Sequence, residues 1–331
     1  AGLVGSEMCI RDRLSDGHFH SGQQLAQALG ISRTAVWKHV QHIESNLGLT
    51  IGAVRGRGYR LAAPLELLDE QRIRRGLSGH AEQALEAMSL MVSTASTNSC
   101  AAADPPTESG RARVWLAEHQ SAGRGRRGRH WVSAFGESLY LSLAWRFDLP
   151  MSELSGLSLA VGVVVAETLQ RLGLDSHSLK WPNDVMVDDR KLCGILVEAA
   201  GETGGPANAI VGVGLNIRVS PEHASRIDRP WTDLSLAGAP PISRNQLAGT
   251  LIDALIGACE QYANSGLAPF LARWAVFDGL CGQRVNILRG SETITGTYRG
   301  VGESGAVVLE GPGGVSEHLA GEVSLRRADR Q

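Results

Sequence analysis

The residue types best able to do chemistry fall in a few short stretches of this sequence. The densest is Gly123-Arg124-Gly125-Arg126-Arg127-Gly128-Arg129-His130-Trp131, with three glycines and four arginines in its first seven residues. Glycine lets a backbone approach a ligand closely, and arginine grips carboxylate or phosphate through two parallel hydrogen bonds. The stretch therefore predicts an ordered anion-binding loop. It has no Gly-Lys-Ser/Thr and so is not a P-loop. An RGG-like disordered tail shares its composition, but this run lies between strand-like segments at Val114–Glu118 and Leu139–Arg146.

Two further runs supply polar groups at turns. Lys180-Trp181-Pro182-Asn183-Asp184 predicts a turn between strands that projects an amide and a carboxylate from one point. Asp188-Asp189-Arg190-Lys191 alone is an ordinary hairpin turn, but Lys191 stands directly before an apolar strand, Leu192–Ala199. A lysine there could neutralise a substrate carboxylate or a phosphoryl oxygen. Thr94-Ala95-Ser96-Thr97-Asn98 either donates hydroxyl and amide hydrogen bonds to a small polar ligand or caps a following helix. Gly212-Val213-Gly214-Leu215-Asn216 ends an apolar strand on a polar residue, a common place for site residues in α/β sheets.

These stretches need a scaffold. Between residues 66 and 277, strand-like runs (114–118, 139–146, 185–187, 192–199, 210–217) alternate with helical ones (156–172, 245–262, 268–276), which predicts an α/β domain with a mixed sheet. Pro64 to about Arg75 reads as a linker running into a helix. From residue 278 to 331, short strands and glycine turns predict a small β-barrel. The whole is an α+β multidomain chain.

Residues 14–65 form a separate module. A short helix at 21–29 is broken by Gly30, and Ser32 caps a second helix, Arg33–Ile43, with Val36, Val40 and Ile43 at helical spacing. Two helices around a tight glycine turn describe a helix-turn-helix, and Arg55-Gly56-Arg57 is the tip of a hairpin wing. Between 14 and 63 there are five basic residues (Arg33, Lys38, Arg55, Arg57, Arg60) and two acids (Asp16, Glu44), a local net charge of +3. The expected DNA-reading set is Ser32, Arg33, Thr34, Trp37 and Lys38 on the helix, with Arg55 and Arg57 on the wing. The alternative is a helical hairpin used for protein contacts.

Composition sets outer limits. The chain has 331 residues, with 32 basic and 34 acidic side chains and a formal net charge of −2. Hydrophobic content of 43% with 20% charged residues is that of a globular protein. The 40 glycines show no collagen period. Five scattered cysteines (9, 100, 193, 259, 281) form no C-x-x-C pair, which argues against a zinc ribbon or a dithiol motif and for a reducing, cytoplasmic setting. The longest apolar stretch, Leu157–Ala166, is short of the roughly 20 residues of a membrane span. No signal-peptide core accompanies Glu7, Arg11, Asp12 and Arg13. Residues 7–13, Glu-Met-Cys-Ile-Arg-Asp-Arg, look like a translated sequencing-library adapter, so residues 1–13 are set aside as a scar. On that reading foreign sequence stands where the first helix of the DNA-binding module should be, and the module should fold poorly.

Taken together, G-R-G-R-R-G-R-x-W at 123–131, K-W-P-N-D at 180–184, R-K-L-x-G-I-L-x-E at 190–198 and G-x-G-x-N at 212–216 resemble the biotin–protein ligases. With the preceding helix-turn-helix, the chain is similar to the bifunctional bacterial form that is also the biotin operon repressor. The resemblance runs from about Leu14 to Arg327. It implies a class II synthetase-like central domain and an SH3-like C-terminal barrel. It also implies ATP with Mg²⁺, formation of biotinyl-5′-adenylate, transfer of biotin to a lysine of the biotin carboxyl carrier protein of acetyl-CoA carboxylase, and adenylate-promoted homodimerisation on operator DNA.

By the same resemblance, Ser96, Thr97, Asn98 and Gln120 flank the ureido end of biotin, and Arg124, Gly125 and Arg126 close over biotin and phosphate. Lys191 holds the carboxylate or α-phosphate oxygens, and Lys191 and Arg126 are the catalytic pair. Arg129, Trp131 and Asn216 fall on the adenylate side, and Asn183 and Asp184 on the ATP or Mg²⁺ side. The family's aspartate before Ser-Thr-Asn is replaced by Ala95, which implies weaker biotin binding. A biotin sensor without ligation and a lipoate ligase are the competing readings. Intact Lys191 and the arginine loop weigh against the first, and the pairing of that loop with K-W-P-N-D weighs against the second. An RNA-binding role would need interleaved aromatics, which residues 124–129 lack.

Overall fold

A computed structural model of the chain describes residues 5–202, 204–289, 291–319 and 324–328. The N-terminal unit is a trihelical bundle, α1 (Gly5–Leu14), α2 (Gly22–Leu29) and α3 (Arg33–Leu47), followed by the hairpin of β1 (Ile51–Val54) and β2 (Gly58–Leu61). Ser21 and Gln24 close a capping box at the start of α2. Gly30 ends that helix at φ 64°, a left-handed conformation that glycine adopts without a Cβ clash. Ser32 caps α3 by accepting from Ala35 N.

Residues 5–13, set aside in the sequence reading, take the place of the first helix. Residues 1–4 lie outside the described residues, but α1 packs on α3 and buries Ile10 and Leu14 completely among Leu25, Val36, Val40, Ile43 and Leu61. Glu7, also buried, accepts from His42 Nδ1 at 2.6 Å and faces His39 Nδ1 at 3.1 Å. The N-terminal unit thus has three helices, with α1 packed where a first helix is needed.

The segment after β2 is a strap rather than a free linker. Leu65 and Leu67 pack against the trihelical core. Glu66 accepts from Ser243 Oγ and Arg244 N, both at 2.6 Å, and from Asn245 Nδ2 at 2.9 Å. Glu118 takes Leu68 N at 2.6 Å and the buried Arg244 guanidinium at 2.8 Å. Breaking such a buried pair typically costs about 3–5 kcal/mol, because the surviving charge stays buried.

The central unit runs through α4 (Glu70–Arg74), α5 (Gly79–Ala84), β3 (Leu85–Met91), α6 (Thr97–Ala103), β4 (Ala112–Ala117), β5 (Ser138–Phe147), α7 (Leu157–Arg171), β6 (His177–Lys180), β7 (Asp184–Val187), β8 (Arg190–Gly201), β9 (Ala207–Asn216), α8 (Pro221–Ala224), α9 (Arg244–Ser265) and α10 (Ala268–Phe277). Seven strands form one sheet in the order β3-β4-β5-β9-β8-β7-β6. Only β3 and β4 run parallel, so the sheet is mixed as expected. Strand residues alternate between faces. One face is sealed by α7, α9 and α10, whose apolar side chains join those of β5, β8 and β9 in the main core. Among the described residues one stretch, Met151–Arg171, is long and apolar enough to cross a membrane, and most of it is buried in this core. The other face is covered at one end by α6, through Ala101 against Trp115, Ala144 and Ile210. The rest of that face is the floor of a pocket.

The C-terminal unit has β10 (Arg284–Arg289), β11 (Glu292–Val301), β12 (Val307–Gly311), β13 (Gly314–His318) and β14 (Ser324–Arg327). Among the described residues these form an open antiparallel sheet, β13-β12-β11-β10-β14, and β13 does not close onto β14. The expected closed barrel is thus a curved sheet with two edges. It is fastened to the central unit by Trp181 Nε1 donating to Gly305 O at 3.0 Å and Tyr298 donating to Asp278 at 2.7 Å.

Candidate functional site

The pocket has a volume of about 220 Å³. Its walls include every ligand-site residue expected from the sequence: Ser96, Thr97, Asn98, Gln120, Arg124, Gly125, Arg126, Arg129, Trp131, Asn183, Asp184, Lys191 and Asn216. These come from β7, β8, β9, the start of α6 and the loops before β5 and β7. Residues spread over more than a hundred positions are assembled by the sheet order.

One end is a hydrogen-bonded set of small polar groups. Ser96 occupies the N-cap position of α6, is buried, and makes no side-chain cap bond. The cap comes from across the pocket instead, where Gln120 Oε1 accepts from Thr97 N at 2.8 Å and Thr97 Oγ1 at 3.1 Å. The Ser96 hydroxyl is therefore not spent on the helix. Ser142 donates to Asn98 Oδ1 at 2.6 Å, and Asn98 Nδ2 donates to Glu198 Oε2 at 2.7 Å. Gly212 stands directly across from Ser142 in the β5–β9 ladder. A Cβ there would lie 2.2 Å from Asn98 Oδ1, so only glycine leaves room for that amide.

The arginine loop closes on itself as a small hairpin, with Gly125 N donating to Arg129 O at 2.7 Å and Trp131 N to Gly123 O at 2.9 Å. Arg124 reaches Ser99 Oγ at 3.0 Å and Glu198 at 3.5 Å, bridging loop, α6 and β8. Trp131 lies on a window of two cross-strand partners, Gly194 and Gly214. A Cβ on Gly194 would meet its indole at 2.8 Å, and one on Gly214 at 3.0 Å. The indole Nε1 is buried with no hydrogen-bond partner among the described residues. A buried donor left unpaired is costly, and it faces a site where an acceptor could arrive with a ligand.

Positive charge converges on the other end. Lys191 Nζ donates to Asp184 Oδ1 at 2.6 Å and sits 5.4 Å from the Trp131 ring centroid. Arg126 reaches Asn183 Oδ1 at 3.5 Å. Burial, and then the neighbouring Arg127 charge, lowers the Arg126 pKa from its ordinary value. Lys180 is lowered too, first by burial and then by Arg326 and Lys191 against the pull of Asp184. Burial first, and neighbouring cations second, disfavour the charged forms here, and a bound anion relieves both.

Several walls carry no local sequence signal. Ile227, Asp228, Arg229 and Trp231 line the pocket from the loop after α8, and Leu325 and Arg326 line it from β14. Asn216 Nδ2 donates to Thr232 O at 3.0 Å, and Lys191 bridges to Trp231 through the backbone. Asn216 thus holds that loop against the strand. Lys180 was visible only inside its motif. Among the described residues no group of three or more His, Cys, Asp and Glu side chains gathers as a metal site.

None of the expected DNA-reading residues lines this pocket; all belong to the N-terminal unit. Ser32, Arg33, Thr34, Trp37 and Lys38 are exposed along α3, opposite its buried Val36, Val40 and Ile43. Arg55 and Arg57 are exposed at the wing, with Arg57 stacked 4.1 Å from the Phe19 ring centroid.

Comparison with known proteins agrees with this anatomy. Residues 92–216 match the biotin/lipoate A/B protein ligase family, residues 10–60 an HTH domain, and residues 280–326 the biotin protein ligase C-terminal domain. The bifunctional ligase/repressor BirA of Escherichia coli is 40% identical over 317 residues, covering 96% of both chains. The BirA of Bacillus subtilis is 29% identical, covering 93% of this chain and 94% of its own. A biotin protein ligase from Aquifex aeolicus, solved with biotin and ATP, superposes with a TM-score of 0.61 at 28% identity over 73% of this chain and all of that one. Fold and pocket together define a protein ligase of the biotin/lipoate class. The chain belongs to the biotin protein ligase family, in the bifunctional ligase/repressor group that carries an N-terminal DNA-binding unit.

Proposed function

We propose that the chain activates biotin with ATP, transfers it to a lysine of a biotin carboxyl carrier protein, and represses transcription from operator DNA. The observation that carries this is the pocket itself, a small-polar end and a cationic end on one glycine-cleared strand surface. In the first step a biotin carboxylate oxygen attacks the α-phosphorus, and the bond from that phosphorus to pyrophosphate breaks. The reactants repel each other, so cations held in place lower the barrier by positioning and by charge stabilisation.

Ser96, Thr97, Asn98 and Gln120 orient the ureido end of biotin. Arg124, Gly125 and Arg126 close over the carboxylate and phosphate, and Lys191 stabilises oxygens as charge shifts. Trp131 offers its ring and its unpaired N–H to the adenylate, with Arg129 on the phosphate side and Asn216 positioning the loop that walls in the nucleotide. Asp184 with Asn183 fits a Mg²⁺ brought in on ATP phosphates, since that ion is commonly held by one or two carboxylates plus phosphate oxygens. In the second step the carrier lysine amine attacks the mixed anhydride carbonyl, AMP leaves, and the amine gives up a proton. Adenylate binding then favours a homodimer that pairs two DNA-binding units in the cytoplasm.

The test is incubation with ATP, Mg²⁺, labelled biotin and a carrier domain. Label on the carrier with stoichiometric pyrophosphate is expected, and absence of both overturns the ligase reading. Sedimentation with and without biotin plus ATP tests the dimer, and gel shifts under the same conditions test operator binding.

A further inference from the structure

On the reading that α3 is a DNA-recognition helix, the structure points to one residue as its apolar base reader. We propose that Trp37 packs its indole face on the 5-methyl group of a thymine in the major groove, giving the operator a thymine requirement at one position in each half-site. Trp37 is 52% exposed, although the helix has an apolar face available and uses it for Val36, Val40, Ile43 and Leu47. It lies one turn into α3, where the N-terminal residues of such helices meet base edges. Its exposed neighbours are Arg33, Thr34 and Lys38, and the wing adds Arg55 and Arg57.

The charge around it fits a polyanion. The four acids between residues 5 and 63 are occupied within the unit itself: Glu7 faces His39 and His42, Asp12 accepts from Arg11 at 2.8 Å, Asp16 accepts from His18 N at 2.8 Å and from His20, and Glu44 accepts from Ile51 N at 3.0 Å. A half-exposed indole on a helix that also exposes Arg33 and Lys38 gains least from water and most from an apolar surface embedded in negative charge. In the major groove that surface is the thymine methyl, the one apolar group by which a base pair there is told apart. A protein partner would be expected to bring carboxylates to these arginines, and is treated as the competing outcome.

The experiment starts with the full chain, biotin and ATP, selecting duplexes from a random pool. Each thymine of the selected half-site is then replaced singly by deoxyuridine, which removes only the methyl. Affinities of wild type, Trp37→Ala and Trp37→Phe are measured by fluorescence anisotropy, with thermal melting as the folding control. Wild type is expected to lose about fourfold at one thymine per half-site, the loss of one buried methyl group, and to be indifferent at the others. Trp37→Ala should bind the thymine and uracil duplexes equally, and Trp37→Phe should keep part of the discrimination. A flat uracil scan with wild type still bound overturns the proposal, as does an equal loss by Trp37→Ala on random-sequence duplex. So does a Trp37→Ala change in dimer mass with unaltered DNA affinity. If wild type selects no duplex at all, the operator reading falls, and this inference with it.

Discussion

Gly212→Ala is the sharpest probe of how the pocket is built. The new Cβ is fixed by the β9 backbone and would stand 2.2 Å from Asn98 Oδ1 and 2.9 Å from its Cγ, so the Asn98 amide must leave. It then loses the bond from Ser142 at 2.6 Å and the bond to Glu198 at 2.7 Å. At about 1 kcal/mol each, with part of an overpacking cost of about 1–3 kcal/mol, biotin binding should weaken by about 2–3 kcal/mol. That corresponds to about 30- to 150-fold in Kd. Isothermal titration of biotin into the full chain measures it. The same variant should melt a few degrees lower, as expected for a loss of about 1–2 kcal/mol in a unit of this size. The geometry also predicts non-additivity. In an Asn98→Gly background the clash is gone, so Gly212→Ala should add less than about twofold. Wild-type biotin affinity in Gly212→Ala, or full additivity in the double variant, would refute this account of the pocket floor.

Other outcomes follow from the same geometry. Lys191→Met removes the cation paired with Asp184 and should lower the rate of pyrophosphate release by about 10²–10³, as loss of a transition-state charge partner does, with biotin Kd changed far less. Ala95→Asp restores a carboxylate beside the first turn of α6 and should tighten biotin binding several-fold, read by calorimetry. For Glu66, burial acts to raise the pKa, but hydrogen bonds from Ser243, Asn245 and Arg244 N outweigh it and the net shift is downward. A carboxylate lowered on folding contributes stability above its unfolded pKa, and that contribution is lost as pH falls through the folded value. The melting-temperature gap between wild type and Glu66→Gln should therefore be full at neutral pH and close in acid below about 4.5, and a gap independent of pH would contradict the strap.

Much of the site was legible because its chemistry is concentrated in local words. The arginine loop, the Pro-Asn-Asp turn and Lys191 at the head of a strand each carry their meaning within a few residues. What was hidden depends on partners distant in the chain. Gly194 and Gly214 matter because Trp131, more than sixty residues earlier, lies across both. Trp231 and Arg326 line the pocket from a loop and an edge strand with no composition of their own. Among the elements, Leu85–Met91 escaped notice, and His177–Lys180 was implied only by the turn after it, because edge strands need little apolar alternation. α1 was not read as an element because residues 1–13 were set aside, and its helical face rests on only two apolar residues, Ile10 and Leu14, four apart. The strap was read as a linker because nothing in Glu66 or Leu68 reveals the Arg244 and Glu118 they respectively meet.

Phe135 belongs by sequence to the segment after the arginine loop, yet its ring is completely buried in the core of the DNA-binding unit, with the Arg11 guanidinium 5.9 Å from its centroid. The boundary between the two units is therefore not a point on the chain. A ligase excised at Pro64 would keep the loop that handles the nucleotide while its next aromatic residue stood bare in water. The excised helices would in turn lack a piece of their own interior. Grafting or trimming of either half therefore disturbs the other unless position 135 is rewritten.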